Sequence, residues 1–121
     1  MRMVIISRRP KNLVRYEMRT LLLFLLMPTF SFGADPDVLL VIKNHRFEPS
    51  ELRIPAGKKV RILIDNQDVA AEEFESHELN REKVIPGQSK LPIFVGPLTP
   101  GRYPFYGDFN AKTAQGVVVA E

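Results

Sequence analysis

An all-β fold, an antiparallel sandwich of Greek-key type, is what residues 34–121 of this sequence predict, and three observations predict it. Short runs of alternating or apolar residues recur, with turn signals about every eight to twelve residues. The breaks between runs carry Pro-Ala-Gly or Pro-Gly, strong turn formers. No segment of the domain combines helical period with caps at both ends.

The strands follow in order. Val38 to Ile42 reads Val-Leu-Leu-Val-Ile, a continuous apolar run of strand length expected to be buried. A turn-rich link from Asn44 to Ser50, holding Phe47, leads to a short strand Leu52-Arg53-Ile54 and the turn Pro55-Ala56-Gly57. The clearest strand is Lys59 to Asp65, with Val60, Ile62 and Ile64 inward and Lys59, Arg61 and Asp65 outward. Asn66-Gln67-Asp68 ends it, and Val69 to Glu73 reads as a helical turn or an irregular crossover. Phe74 to Leu79 alternates again, followed by Lys83-Val84-Ile85 and Pro86-Gly87. Lys90 to Val95 places Leu91, Ile93 and Val95 on one side. After Pro100-Gly101 come Tyr103, Phe105 and Gly107 on one face, a polar loop, and a last strand from Gly116 through Val117-Val118-Val119-Ala120.

Residues 1–33 read differently, as a basic leader and secretory signal. Arg19 follows Met18, a second candidate start; Leu21 to Met27 is the apolar centre; Ser31 and Gly33 supply the small-residue exit, with cleavage expected after Gly33. The apolar run is too short to span a bilayer, which takes about 20 residues. A periplasmic location is the expectation. Removing the leader's six basic residues and one acid from the chain's 17 and 14 leaves 11 and 13, a net charge of −2. The basic character is thus a property of the leader, and a nucleic-acid partner loses its support. Within the domain the acids cluster: Glu72, Glu73, Glu75, Glu78 and Glu82 lie close together.

Cysteine is absent, and all four methionines (Met1, Met3, Met18, Met27) fall in the leader. The domain therefore holds no disulfide, thiolate or thioether ligand, and its stability must come from its core. Ser50, Ser76 and Ser89 have no nucleophile elbow around them, and zinc and phosphate motifs are missing. No usual catalytic constellation is present; any chemistry would be metal-centred redox assistance.

The order of parts resembles the cupredoxin-like domains over residues 37–121: apolar strand, Phe-x-Pro link, Leu-x-Ile-Pro-Ala-Gly turn, strand ending in Asn, x-x-Phe segment, Pro-Gly, and a closing loop. Glu72-Glu73-Phe74-Glu75-Ser76 and Thr113-Ala114-Gln115-Gly116 are similar to motifs of the small Cys-free periplasmic cupredoxin-like proteins found with bacterial iron-uptake permeases. In the copper-binding members a Cys, a His and a Met precede the Gly that opens the last strand. The resemblance puts those positions at Gly107, at or near Asn110, and at Ala114, with the first His position at Glu72. It implies a site of hard oxygen donors, Glu72, Asp108 and Asn110, suited to iron, manganese or copper(II) and not to Cu(I). Asn110, where the related proteins carry His, lowers the expected affinity. A type 1 copper site is excluded by the missing thiolate.

His45 lies in a loop near one pole and is expected either as a hydrogen-bonded surface residue or as a ligand. Glu75, flanking His77 on the outward face, joins either a solvated acidic patch or a cation-delivery site. Two functions stay open at this point. One is a metal-binding protein assisting ferrous iron uptake or oxidation, with a membrane iron permease or a companion periplasmic protein as partner. The other is a metal-free module docking on a basic membrane partner through its acidic strand.

Overall fold

Two sheets face each other in the computed structural model, which describes residues 2–4, 28 and 35–121. The leader and signal reading lies almost wholly outside the described residues. No described helix is long and apolar enough to cross a membrane. Gly33–Glu121 forms one compact unit, and everything below concerns it.

Nine strands build that unit: β1 Val38–Lys43, β2 Arg46–Glu48, β3 Glu51–Ile54, β4 Val60–Asn66, β5 Glu72–Ser76, β6 Arg81–Ile85, β7 Ser89–Val95, β8 Gly101–Gly107 and β9 Gln115–Ala120. A single 3₁₀ turn, Asp108–Asn110, joins β8 to the closing loop. One sheet runs β2-β1-β4-β7 and the other β3-β9-β8-β5-β6. The expected antiparallel pairing holds at five of the seven ladders, but β1–β4 and β3–β9 are parallel. Parallel neighbours arise because the chain crosses to the opposite sheet between them, a connection that local alternation does not encode.

Alternation gives the core. Ile62 and Ile64 of β4, Leu40 and Ile42 of β1 and Val95 of β7 are buried against Phe74 of β5, Phe105 of β8 and Val118 of β9. Each such aliphatic side chain contributes about 1.5–3 kcal/mol relative to exposure. At the centre Phe74 stacks on Phe105 with ring centroids 5.0 Å apart, and Phe47 meets Phe105 edge-on at 4.9 Å. Strand β1 is buried on one face only: Leu39 is half exposed despite the unbroken apolar run, because each sheet of a two-layer sandwich has one covered face. The alternation expected from Phe74 to Leu79 stops at Ser76, whose buried hydroxyl donates to the Pro104 carbonyl (2.6 Å) and accepts from the Leu79 N–H (3.1 Å). Residues 67–71 form no helix; β5 starts directly at Glu72.

The registers bring seven chain segments to one end of the sandwich. There β1 and β4 finish, β5 starts, β6 finishes, β7 starts, β8 finishes and β9 starts. We call this end the pole. A depression of about 570 Å³ lies at the opposite end, between Asp35–Val38, Lys58–Arg61 and Phe94, and shares no residue with the pole.

Candidate functional site

Asn66, the last residue of β4, organises the approach to the pole. Fully buried, its amide donates to the carbonyls of Ala70 (3.0 Å), Ile85 (3.1 Å) and Pro86 (3.3 Å), and its oxygen accepts from the Asp68 N–H (3.0 Å). This one side chain ties the β4–β5 crossover to the end of β6. Its sequence signal, an Asn closing a strand, says nothing of how many groups it serves.

Asp68 then fastens the β1–β2 turn. Its two carboxylate oxygens accept the backbone N–H groups of Asn44 (2.8 Å) and His45 (2.9 Å), both of which adopt left-handed backbone with φ of 53° and 55°. These hydrogen bonds, His45's first, hold the Asp68 carboxyl below the usual carboxylate range against the opposing effect of burial. Thr113 of the closing loop donates its hydroxyl to the His45 carbonyl at 2.7 Å. The His45 ring is half exposed, with Nδ1 3.7 Å from Asp68. Its backbone is part of the pole's frame, while none of the hydrogen bonds to Glu72 comes from the imidazole.

Glu72 sits at the centre. Because it shares the inward face of β5 with Phe74, its side chain turns under the closing loop and is only 1% exposed. Oε1 accepts the N–H groups of Glu73 and Phe109, each at 3.0 Å, and Oε2 accepts Asn110 Nδ2 at 2.7 Å. Glu72 and Asn110 therefore meet as hydrogen-bond partners, with the amide nitrogen of Asn110, and not the oxygen expected as a ligand, toward the carboxylate. Asp108 is exposed and faces the outer surface, where its charge acts on Glu73 and Tyr106.

That outer surface is the second feature. Glu73 and Glu75 point outward from β5, Glu82 lies opposite Glu75 on β6, and Tyr106 lies opposite Glu75 on β8. A hydrogen bond to the Glu82 carboxyl, then burial and the charges of Glu82, Asp108 and Glu75, push the Glu73 carboxyl up to about 7. His77 Nε2 is 3.9 Å from Glu75. Among the described residues no Lys or Arg pairs with Glu73, Glu75, Glu82 or Asp108, whereas Glu51 and Glu121 on the same sheet pair with Arg53 and Arg102. Val84 and Phe109, about half exposed, add apolar surface beside these acids. Among the described residues no three His, Asp or Glu side chains converge closely enough to hold a metal ion by themselves.

The model of the cupredoxin-like domain matches residues 18–120. This chain belongs to the cupredoxin-like domain family. An uncharacterized protein of Rickettsia prowazekii is 42% identical over 83 residues, covering 69% of this chain and 66% of that protein, so the chain spans just under two thirds of its length. Among solved structures, auracyanin A, a blue copper protein of Chloroflexus aurantiacus, superposes with a TM-score of 0.62 at 14% identity over 71% of this chain and 98% of its own. Amicyanin of Paracoccus versutus gives 0.58 at 14% identity over 74% and 85%, and a purple cupredoxin of Nitrosopumilus maritimus gives 0.56 at 19% over 70% and 100%. At these identities the structural likeness is one of fold.

A thiolate copper centre does not fit this cupredoxin-like domain. The chain has no Cys, and at Gly107, where the resemblance led one to expect it, an ideal Cβ would lie 2.6 Å from Glu72 Cδ and 2.7 Å from the Ala114 Cβ. The space is taken by a carboxylate. What the site offers chemically is a buried, hydrogen-bonded anion at the pole and a group of hard oxygen donors on the adjoining face.

Proposed function

We propose that this cupredoxin-like chain works outside the cytoplasm as an accessory of ferrous iron uptake, gathering a hard divalent cation on the acidic face beside the pole and presenting it to a membrane permease. Iron is cargo here, and no resident copper is required. The observation that carries the reading is the charge imbalance of one sheet face. Glu73, Glu75, Glu82 and Asp108 stand without a Lys or Arg partner among the described residues, while the far end of that face is neutralised by Arg53 and Arg102. Carboxylate oxygens suit Fe(II) and Fe(III). Loose surface holding suits transfer, because waters and the acceptor complete the coordination. The motif likeness to the permease-associated cupredoxin-like proteins supports the iron assignment.

Glu75 and Asp108, of the donors expected from sequence, belong to this cation-facing set, with Glu73 and Glu82. Glu72, Asn110 and His45 frame the pole instead.

A second reading has its own support. Val84 and Phe109 border the same acids, a combination suited to docking on a basic protein surface with no metal involved. Calorimetry separates the two. Residues 33–121 are titrated at pH 7.5 with anaerobic Fe(II), Mn(II) and Cu(II), alongside a Glu73→Gln, Glu82→Gln, Asp108→Asn variant. Binding that is lost in the variant supports cation handling. No heat with any metal refutes it, and salt-sensitive, metal-independent binding to a basic polypeptide then leaves the docking reading.

A further inference from the structure

Gly107 ends β8 with φ −93° and ψ 112°, extended backbone open to any residue. Conformational freedom is therefore not what this position needs. What it needs is room: a Cβ there would lie 2.8 Å from Glu72 Oε1 as well as 2.6 Å from Cδ and 2.7 Å from the Ala114 Cβ. Positions 107, 110 and 114 converge on one small volume under the loop, and the Glu72 carboxylate fills it.

The loop is folded around that carboxylate. The Gly107 N–H donates to the Ala114 carbonyl (2.8 Å), and the N–H groups of Thr113 (3.0 Å) and Ala114 (2.8 Å) both donate to the Asn110 carbonyl. The Phe109 N–H and the Asn110 amide are then left to point inward at Glu72. Three N–H donors aimed at one carboxylate, with no buried side-chain polar atom unpaired among the described residues, make a finished anion site with the protein's own side chain as the anion.

We infer that Glu72 is an internal lock: its carboxylate cross-links β5 to the closing loop, and Gly107 is the notch that admits it. The hydrogen bonds that close the pole over Glu72 are supplied by the chain itself. A cation entering between Glu72 and Asn110 must break the 2.7 Å hydrogen bond and turn the amide. This role is independent of what the acidic face binds.

The test is a mutant cycle on residues 33–121, the compact unit that contains the whole described core. Thermal midpoints and amide exchange at Phe109 are measured for wild type, Glu72→Ala, Gly107→Ala and the double variant, with EDTA and with added Cu(II), Mn(II) or anaerobic Fe(II). The lock requires a wild-type midpoint unmoved by EDTA and a protected Phe109 amide without metal. It requires about tenfold or greater loss of that protection in Glu72→Ala. Gly107→Ala must lower the midpoint strongly in wild type and less in the Glu72→Ala background, with a residue of strain from Ala114. Glu72→Gln, which keeps an acceptor for both backbone N–H groups, must retain Phe109 protection and serves if Glu72→Ala does not fold. Metal binding that persists in Glu72→Gln belongs to the acidic face and leaves the lock standing. A midpoint lowered by EDTA, or single effects that simply add in the cycle, overturns it.

Discussion

Replacing Asn66 by Asp changes one atom of a fully buried side chain and reverses its meaning. The Asn66 amide nitrogen faces three carbonyl oxygens at 3.0–3.3 Å, and no cation lies among its hydrogen-bond partners. An ionised carboxylate placed there sets an oxygen anion against those carbonyls, so the new group is expected to stay protonated in the fold, its folded-state pKa raised well above the ordinary value of about 3.9. A raised carboxyl pKa contributes stability that is fully present below the unfolded value and lost as pH rises toward the folded one. The loss accrues at about 1.36 kcal/mol per pH unit across that window. At acid pH the protonated side chain keeps one donor, and its cost is that of the one or two lost hydrogen bonds, about 1–2 kcal/mol. At pH 7.5 the deficit should exceed about 3 kcal/mol. Urea denaturation at pH 4, 5.5 and 7.5, with the wild type subtracted at each pH, reads both quantities. A variant within about 0.5 kcal/mol of wild type at pH 7.5, or a difference flat in pH, would mean that Asn66 is not the buried donor hub described.

Other outcomes follow from the same geometry. His45→Gly should raise stability by about 0.5–1 kcal/mol, since the φ of 55° costs glycine nothing and the hydrogen bonds to Asp68 and Thr113 use only backbone atoms; a chemical melt that shows destabilisation would contradict the turn. Gly87→Ala should cost about 2 kcal/mol or more, because its Cβ would fall 1.8 Å from the Val69 carbonyl oxygen, and melting temperature checks this. Glu73, with its carboxyl raised to about 7, contributes stability present below its unfolded value and lost as pH rises through 7; Glu82→Gln should flatten that decline between about pH 5 and 8, measured by midpoint against pH, and an unchanged profile would count against the Glu73–Glu82 hydrogen bond as its cause.

The alternation of apolar and polar residues by itself determined that this is a β-sandwich and which faces turn inward. Val60, Ile62 and Ile64, then Ile93 and Val95, then Phe105, are buried as a period of two requires. It also placed Glu72 on the inward face and Glu73 and Glu75 on the outward one, since that follows from their spacing to Phe74. The missing sulfur settled the question of a thiolate. Sheet partners were beyond its reach: the parallel ladders β1–β4 and β3–β9 depend on crossovers between sheets, which no local pattern records. The partition of the acids was equally hidden. Glu72 and Asp108 are 36 positions apart, and only the register of β5 on β8 decides that Glu72 runs beneath the loop while Asp108 stands outside it. Gly107 shows the limit most clearly. The sequence puts it on one strand face with Tyr103 and Phe105, at the position where the resemblance expects a Cys, but nothing in that pattern shows that its purpose is the volume left for a carboxylate brought from another strand. Periodicity is a property of one segment, whereas a filled volume belongs to all the segments that surround it; the fold class was therefore legible in the sequence, and the lock at the pole was decided by tertiary structure.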